Sequence, residues 1–127
     1  MTHSRSLRIA SFNILHGQTV SSAAAHSTAH LQSPTDGPPD AAALIDAIEQ
    51  IGPTIIGLQE VDRDQERSGG ADQARVVAEA MNTPHWRFVP TVVGTPGRAA
   101  GFRATTERER HPEFATDRPN YGVALVS

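Results

Sequence analysis

Two oxygen-bearing side chains near the ends of predicted strands could together bind a hard cation. Asn13 lies late in an apolar run over residues 7–15, and Glu60 lies late in a second run over residues 54–61. The carboxyl ends of parallel strands meet where loops diverge and leave a crevice for a ligand. A carboxylate beside an amide oxygen suits Mg²⁺, which takes one or two carboxylates and fills its remaining positions with water and phosphate oxygens. The pattern therefore indicates a magnesium site, the alternative being two strand-end residues without a shared ligand.

Further polar residues near these strands are candidates for substrate binding, each with a simpler alternative. His16 could hydrogen-bond near the cation, or it could be a structural or solvent-facing histidine. Arg63 could hold a phosphate through its planar fork of donors, or it could form a surface ion pair. His26 and His30 have the four-residue spacing of a helical metal pair. Because they have no glutamate partner and lie in an insertion-like segment, we interpret them as loop histidines.

Hydrophobic patterning predicts the elements that must position these residues. The runs 7–15 and 54–61 are short and apolar, as is typical of buried strands. Between them, Asp40 offers an N-cap, and apolar residues repeat at helical spacing from Leu44 until Gly52 and Pro53 end the helix. The order strand, helix, strand predicts a parallel pair joined by a right-handed crossover.

The remainder of the chain predicts one more helix and two more strands. A second helix is expected from about Asp72 to Met81, a third strand from Trp86 to Val93, and a last strand over residues 121–127. The segments 18–39 and 94–120 are polar and rich in Gly and Pro, so we expect irregular surface loops there. The arginines of the second segment alternate with glutamates, which favours a solvated loop over a nucleic-acid surface.

Composition excludes several classes of protein. The chain has 127 residues, of which 38% are hydrophobic, so it fits one globular domain with an ordinary core. A net charge of −3 gives no strong nucleic-acid signature. The chain has no cysteine, which rules out zinc-thiolate sites and a cysteine nucleophile. No segment reaches the roughly 18 apolar residues needed to span a membrane, and no leader precedes the first strand, so we expect a cytoplasmic protein.

The chain contains three short sequence motifs, which are in order SFNILHG, IIGLQEVDR and YGVALVS. They resemble the first three motifs of the endonuclease/exonuclease/phosphatase superfamily, which includes exonuclease III, DNase I and neutral sphingomyelinases. The resemblance spans nearly the whole chain, and LQE after an apolar strand is its most specific element. It implies an α/β fold: a four-layer sandwich in which two mixed sheets lie face to face between outer helices.

The same resemblance implies roles for individual residues. Glu60 would be the central ligand of Mg²⁺, with Mn²⁺ able to replace it, and Asn13 would position the metal or the phosphate. Gln59 would orient Glu60 or Asn13 through a hydrogen bond. The activity implied is metal-dependent hydrolysis of a phosphoester whose identity the sequence does not specify, with a small phosphodiester or phosphomonoester preferred.

The resemblance ends before the family's later motifs. The chain contains neither a GDxN motif nor a Ser-Asp-His motif, although both motifs supply catalytic groups in the family. Layered domains of this kind run to roughly 200–250 residues, and the chain ends inside an apolar run. We therefore expect residues 1–127 to be the N-terminal part of one domain, truncated at its C-terminal end and inactive alone. The alternatives are a non-catalytic remnant or interaction module, and an unrelated small α/β binding domain.

Overall fold

The computed structural model describes residues 6–18, 41–98 and 101–127, which form one mixed five-stranded sheet and two α-helices. The strands are β1 (Ile9–Asn13), β2 (Ile55–Arg63), β3 (Trp86–Gly94), β4 (Phe102–Ala104) and β5 (Asn120–Val126). The helices are α1 (Ala41–Ile51) and α2 (Gln73–Ala80). The α/β class predicted from the sequence is therefore confirmed.

The strands lie in the order β1-β2-β5-β3-β4. β1 and β2 are parallel, with Asn13 opposite Gln59, as the strand–helix–strand order predicts. The other neighbouring strands are antiparallel. Because β5 runs antiparallel to β2, its first residues lie beside the carboxyl end of β2. Three strand ends consequently meet at this edge of the sheet.

Both helices pack on one face of the sheet and form the core with it. Ile48 of α1, Leu58 of β2 and Val77 of α2 are almost completely buried there. Leu44 and Ile48 are one helical turn apart, so α1 presents a continuous apolar stripe to the sheet. Each buried aliphatic side chain contributes about 1.5–3 kcal/mol to folding, which makes this layer the main source of stability.

The opposite face of the sheet is apolar and exposed. Ile9, Val123 and Leu125 alternate with the core residues of their strands and keep 68%, 40% and 55% of their surface accessible. Within the described ranges there is one sheet, so the two-sheet sandwich implied by the resemblance is not confirmed. The face is nevertheless of the kind that packs against a second apolar layer.

The predicted elements differ from the observed ones mainly at their bounds. β2 continues to Arg63, two residues beyond the apolar run 54–61. The segment 94–120, expected to be irregular, contains β4 and two short 3₁₀ turns at Arg108–Arg110 and Pro112–Phe114. The N-cap expected at Asp40 and nearly all of the 18–39 loop lie outside the described residues.

No helix in the described part of the chain is long and apolar enough to cross a membrane.

Candidate functional site

Asn13 and Glu60 are in direct contact near the carboxyl ends of β1 and β2. Asn13 Nδ2 donates a hydrogen bond of 2.9 Å to Glu60 Oε1. Asn13 Oδ1 accepts a second bond, also of 2.9 Å, from the backbone N–H of Leu15. Because a carboxylate only accepts and an N–H only donates, these two partners fix the orientation of the amide. The structure thus brings the two residues together, and the Asn13 amide holds one oxygen of the Glu60 carboxylate.

A β-bulge in β2 directs the Glu60 side chain toward Asn13. The register with β5 shifts between Leu58 and Val61, so two residues of β2 stand opposite one residue of β5. Glu60 itself has a φ of 57°, a left-handed conformation that costs a non-glycine residue roughly 1–2 kcal/mol. Such strain persists where the surrounding contacts hold it, and here the hydrogen bond from Asn13 is one of those contacts.

The turn after β1 is also strained and is tied down by α2. Leu15, His16 and Gly17 all have positive φ values, of 47°, 44° and 85°. Gln73, at the start of α2, donates from its side chain to the His16 carbonyl at 2.8 Å. The same side chain accepts from the backbone N–H of Asp62 at 2.8 Å. One buried amide therefore links the turn after β1 to the end of β2, on either side of Glu60.

His16 faces the second oxygen of the Glu60 carboxylate. Its Nδ1 lies 3.9 Å from Glu60 Oε2, which is longer than a hydrogen bond, and this buried atom has no hydrogen-bond partner among the described residues. Burial lowers the pKa of His16 below its ordinary value, and the charge of Arg67 lowers it further, against the opposing charges of Asp62 and Glu60. The imidazole is consequently neutral at neutral pH and adds no positive charge beside the carboxylate.

A buried ion pair forms the wall next to Glu60. The Asp62 side chain is completely buried, and Arg67 donates to its two oxygens at 2.8 and 2.7 Å. The Arg67 guanidinium also lies over the Tyr121 ring, 5.5 Å from the ring centre. Burial raises the pKa of the Tyr121 hydroxyl, and the charges of Glu60 and Asp62 add to that rise. Glu60 therefore lies within the electrostatic reach of this cluster.

The Asp62–Arg67 pair is the part of the site that the sequence did not identify. A signal was nevertheless present. Aspartate and arginine five residues apart, at the end of an apolar run, can meet when the intervening chain turns back, as the 3₁₀ turn at Glu66–Ser68 makes it do.

Gln59 does not make the hydrogen bond expected of it. Its side-chain amide lies against the Ser11 hydroxyl, with Gln59 Nε2 donating at 3.2 Å, and not against Glu60 or Asn13. Asn13 lies directly opposite Gln59, but its amide is already engaged by Glu60 and by the backbone of Leu15, so the Gln59 side chain bonds Ser11 instead. Gln59 contributes through its backbone instead, because its carbonyl accepts the N–H of Ile14 at 3.1 Å.

Arg63 is not near Glu60 either. Its guanidinium lies 5.7 Å from the centre of the Phe88 ring and 3.4 Å from a carboxylate oxygen of Asp72. Phe88 belongs to the helix-covered core, so Arg63 lies on the helix side of the sheet. Arg63 therefore forms an ion pair with Asp72, which was the alternative to phosphate binding.

The oxygen ligands at this edge of the sheet suit a hard cation that is held by few protein groups. The Glu60 side chain is 32% exposed, so its carboxylate is accessible to an ion and its waters. In the described ranges no group of three His, Cys, Asp or Glu residues could form a complete protein cage. Mg²⁺ does not need such a cage, because it retains several waters and binds substrate phosphate directly. One carboxylate held by an amide is compatible with that mode of binding.

Comparison with known proteins gives a family. No curated protein and no solved structure matches this chain. The Endonuclease/Exonuclease/phosphatase family matches it over residues 10–127. That match includes Asn13 and all of β1 except its first residue, β2 with Glu60 and the whole of β5, so it covers the elements that build the site. The family match also agrees with the resemblance of the three sequence motifs. The chain belongs to the endonuclease/exonuclease/phosphatase family.

Proposed function

We propose that this chain carries the metal-binding part of a magnesium-dependent phosphoester hydrolase. The family is generally hydrolytic toward phosphoesters and usually depends on a divalent metal ion. The single observation that supports the proposal is the hydrogen bond between Asn13 and Glu60, which places a fixed and accessible carboxylate at the edge of the sheet. Mg²⁺ is the proposed ion, and Mn²⁺ is its expected substitute.

Each residue has a defined part in the proposal. The Glu60 carboxylate would hold the cation, and Asn13 would keep that carboxylate in place by donating to Oε1. His16 would stay neutral and leave the negative charge of Glu60 available to the ion. When bound, Mg²⁺ would supply Lewis-acid chemistry toward the oxygens of the phosphoester. Asn13 is therefore a positioning residue in this arrangement, since its own oxygen accepts from Leu15.

The proposal includes a contribution from outside these 127 residues. The chain does not contain the GDxN and Ser-Asp-His motifs of the family. A second sheet packed on the apolar face that includes Ile9, Val123 and Leu125 would complete the four-layer sandwich. We therefore expect little turnover from the 127-residue chain alone. The preferred substrate is a small phosphodiester or phosphomonoester, because the net charge of −3 gives no general attraction for a polyanion.

The test is phosphodiester hydrolysis by the protein expressed with whatever sequence follows Ser127 in its reading frame. Bis(4-nitrophenyl) phosphate is the probe, and rates are compared with Mg²⁺, with Mn²⁺ and with EDTA. Glu60→Gln should reduce kcat/KM by at least about 100-fold, since even outer partners of a metal site cost 10–100-fold when lost. The matched control is Glu66→Gln, which removes an exposed carboxylate whose ion-pair partner within the described residues is Arg98.

The outcomes separate the proposal from its rival. Metal-dependent hydrolysis that is lost in Glu60→Gln and kept in Glu66→Gln supports an enzyme with this site. Hydrolysis that survives EDTA or the loss of the Glu60 carboxylate contradicts it. Magnesium binding without any turnover would favour the non-catalytic interaction module.

A further inference from the structure

Gln73, the first residue of α2, makes two side-chain hydrogen bonds whose partners lie on either side of the proposed metal site. Its Nε2 donates to the His16 carbonyl at 2.8 Å, and its Oε1 accepts from the backbone N–H of Asp62 at 2.8 Å. The Gln73 side chain is buried. A buried amide of this kind can be purely structural, because buried backbone groups need hydrogen-bond partners. The places of its two partners indicate a further role.

The first partner belongs to the turn that orients Asn13. In this turn Leu15 and His16 have left-handed backbone conformations, which persist only where contacts hold them. The Leu15 N–H donates to Asn13 Oδ1, and the Asn13 amide then donates to Glu60 Oε1. A bond from Gln73 to this turn therefore fixes the group that holds the Glu60 carboxylate.

The second partner follows the bulge that directs Glu60. Asp62 lies two residues after Glu60, whose own φ is also positive. β1 ends opposite Gln59, so in the described part of the chain β2 has no strand on that side beyond the bulge. Gln73 accepts the Asp62 N–H there. The same amide thus fixes the chain on the other side of Glu60.

The core and the end of β2 hold Gln73 itself in place. Asp72, just before it, forms a backbone bridge with Arg63 and an ion pair with its guanidinium at 3.4 Å. Ala74 and Val77 of the same helix are completely buried in the core. A side chain on such a rigid element can hold its partners in fixed positions.

We propose that Gln73 is a positioning residue of the metal site, which holds the Asn13–Glu60 pair through the turn at His16 and through the β2 bulge. This inference rests on the proposed function, because it assigns Gln73 to the site that binds Mg²⁺. An amide suits the task, since one partner is a carbonyl and the other is an N–H, and an amide both donates and accepts. Partners that orient metal ligands in this way typically change metal affinity by about 10–100-fold when they are lost.

The test compares two buried glutamines. Gln73→Met removes both hydrogen bonds and keeps a side chain of similar length. The matched control is Gln65→Met, because the Gln65 side chain is also completely buried and its amide also bridges backbone groups. Those groups are the carbonyls of Gly94 and Asn120, at 2.9 and 3.1 Å, which belong to β3 and β5.

Three measurements are made on each protein. Urea denaturation gives the loss of stability, and calorimetric titration of the folded protein gives the affinity for Mg²⁺. The third is the NMR resonance of the Asn13 side-chain amide, recorded in EDTA, which reports on the Asn13–Glu60 hydrogen bond without a metal ion.

We expect both variants to lose stability, since each leaves buried backbone groups without a partner. Only Gln73→Met should bind Mg²⁺ at least about 10-fold more weakly and shift the Asn13 resonance. Gln65→Met should match the wild type in both respects. A purely structural role for Gln73 would make the two variants alike.

A second variant, Gln73→Glu, keeps the test decisive if Gln73→Met folds poorly. A glutamate keeps the acceptor for the Asp62 N–H and loses the donor to the His16 carbonyl. Its added negative charge near Glu60 would by itself strengthen the attraction for Mg²⁺. Weaker binding by Gln73→Glu is therefore expected only if the bond to His16 positions the site.

The inference is overturned if Gln73→Met leaves the Mg²⁺ affinity and the Asn13 resonance unchanged, or if Gln65→Met weakens binding equally. Tighter binding by Gln73→Glu would also overturn it. Failure of the proposed function gives a different result, because the wild type would then bind no Mg²⁺ or would bind it as Glu60→Gln does. In that case the Asn13 resonance in EDTA still decides whether Gln73 holds the pair.

Discussion

Removing Arg67 should destabilise the protein far more than removing an exposed arginine. Asp62 is completely buried, and Arg67 is the only side chain in the described residues that donates to its carboxylate. The Arg67→Met variant would keep much of the packing over Tyr121 but leave a buried charge unpaired. Breaking a buried pair in this way costs about 3–5 kcal/mol. This is a large part of the roughly 5–15 kcal/mol by which domains are stable.

Urea denaturation followed by circular dichroism measures this effect. The matched control is Arg75→Met, which breaks an ion pair between side chains that are 68% and 66% exposed. Such an exposed helical pair contributes only about 0.3–0.5 kcal/mol. A double variant, Asp62→Leu with Arg67→Met, should be more stable than Arg67→Met alone, because no unpaired charge remains.

The reasoning is refuted if Arg67→Met and Arg75→Met lose the same free energy of unfolding. It is also refuted if the double variant is less stable than Arg67→Met by the full cost of a second deletion. Either result would mean that the pair is more hydrated in solution than its burial indicates.

Three further predictions concern the sheet and the site. Gly122→Ala should prevent stable pairing of β5 with β3, because a Cβ there would overlap a backbone carbonyl of β3. Gly57→Ala should keep the wild-type unfolding midpoint, because a Cβ there would lie 3.9 Å from Gln59 Nε2, an ordinary van der Waals contact. Because burial lowers the pKa of His16 below 6.5, the unfolded chain protonates first as the pH falls. The free energy of unfolding should therefore drop as the pH falls from 6.5 toward the folded pKa, and urea titrations of His16→Gln should lack that contribution. Leu125→Lys should reduce self-association in sedimentation velocity more than Phe114→Lys does, since Leu125 belongs to the apolar sheet face.

Periodicity was sufficient to predict most of the fold. Local sequence alone determines the hydrophobic pattern of α1, with its apolar stripe at Leu44 and Ile48. The same is true of the apolar strands around Leu58 and Ala124. β4 could not be predicted in the same way, because its three residues are exposed and its pairing with β3 is a non-local contact. Local sequence therefore identifies elements that bury a face, and it misses an exposed edge strand.

The β-bulge explains why the site was only partly predicted. Regular alternation after Leu58 would place Arg63 on the same face as Gln59, beside the expected crevice. The extra residue at the bulge reverses the phase, so Asp62 faces the site and Arg63 faces the helices. A glycine often marks a bulge residue with a positive φ. Because Glu60 has a positive φ although it is not glycine, the residue type at this position does not indicate the bulge. The contact between Asn13 and Glu60 was predictable from the strand ends, whereas its neighbours depended on this irregularity.

Magnesium binding by the wild-type chain and by Glu60→Gln tests the central proposal most directly. The measurement is calorimetric titration of Mg²⁺, repeated with Mn²⁺, and Glu66→Gln is the carboxylate control. We predict a saturable isotherm for the wild type and for Glu66→Gln, and binding at least about 10-fold weaker for Glu60→Gln. Identical isotherms for the wild type and Glu60→Gln would show that the carboxylate held by Asn13 does not bind the ion, and the proposed metal site would be wrong.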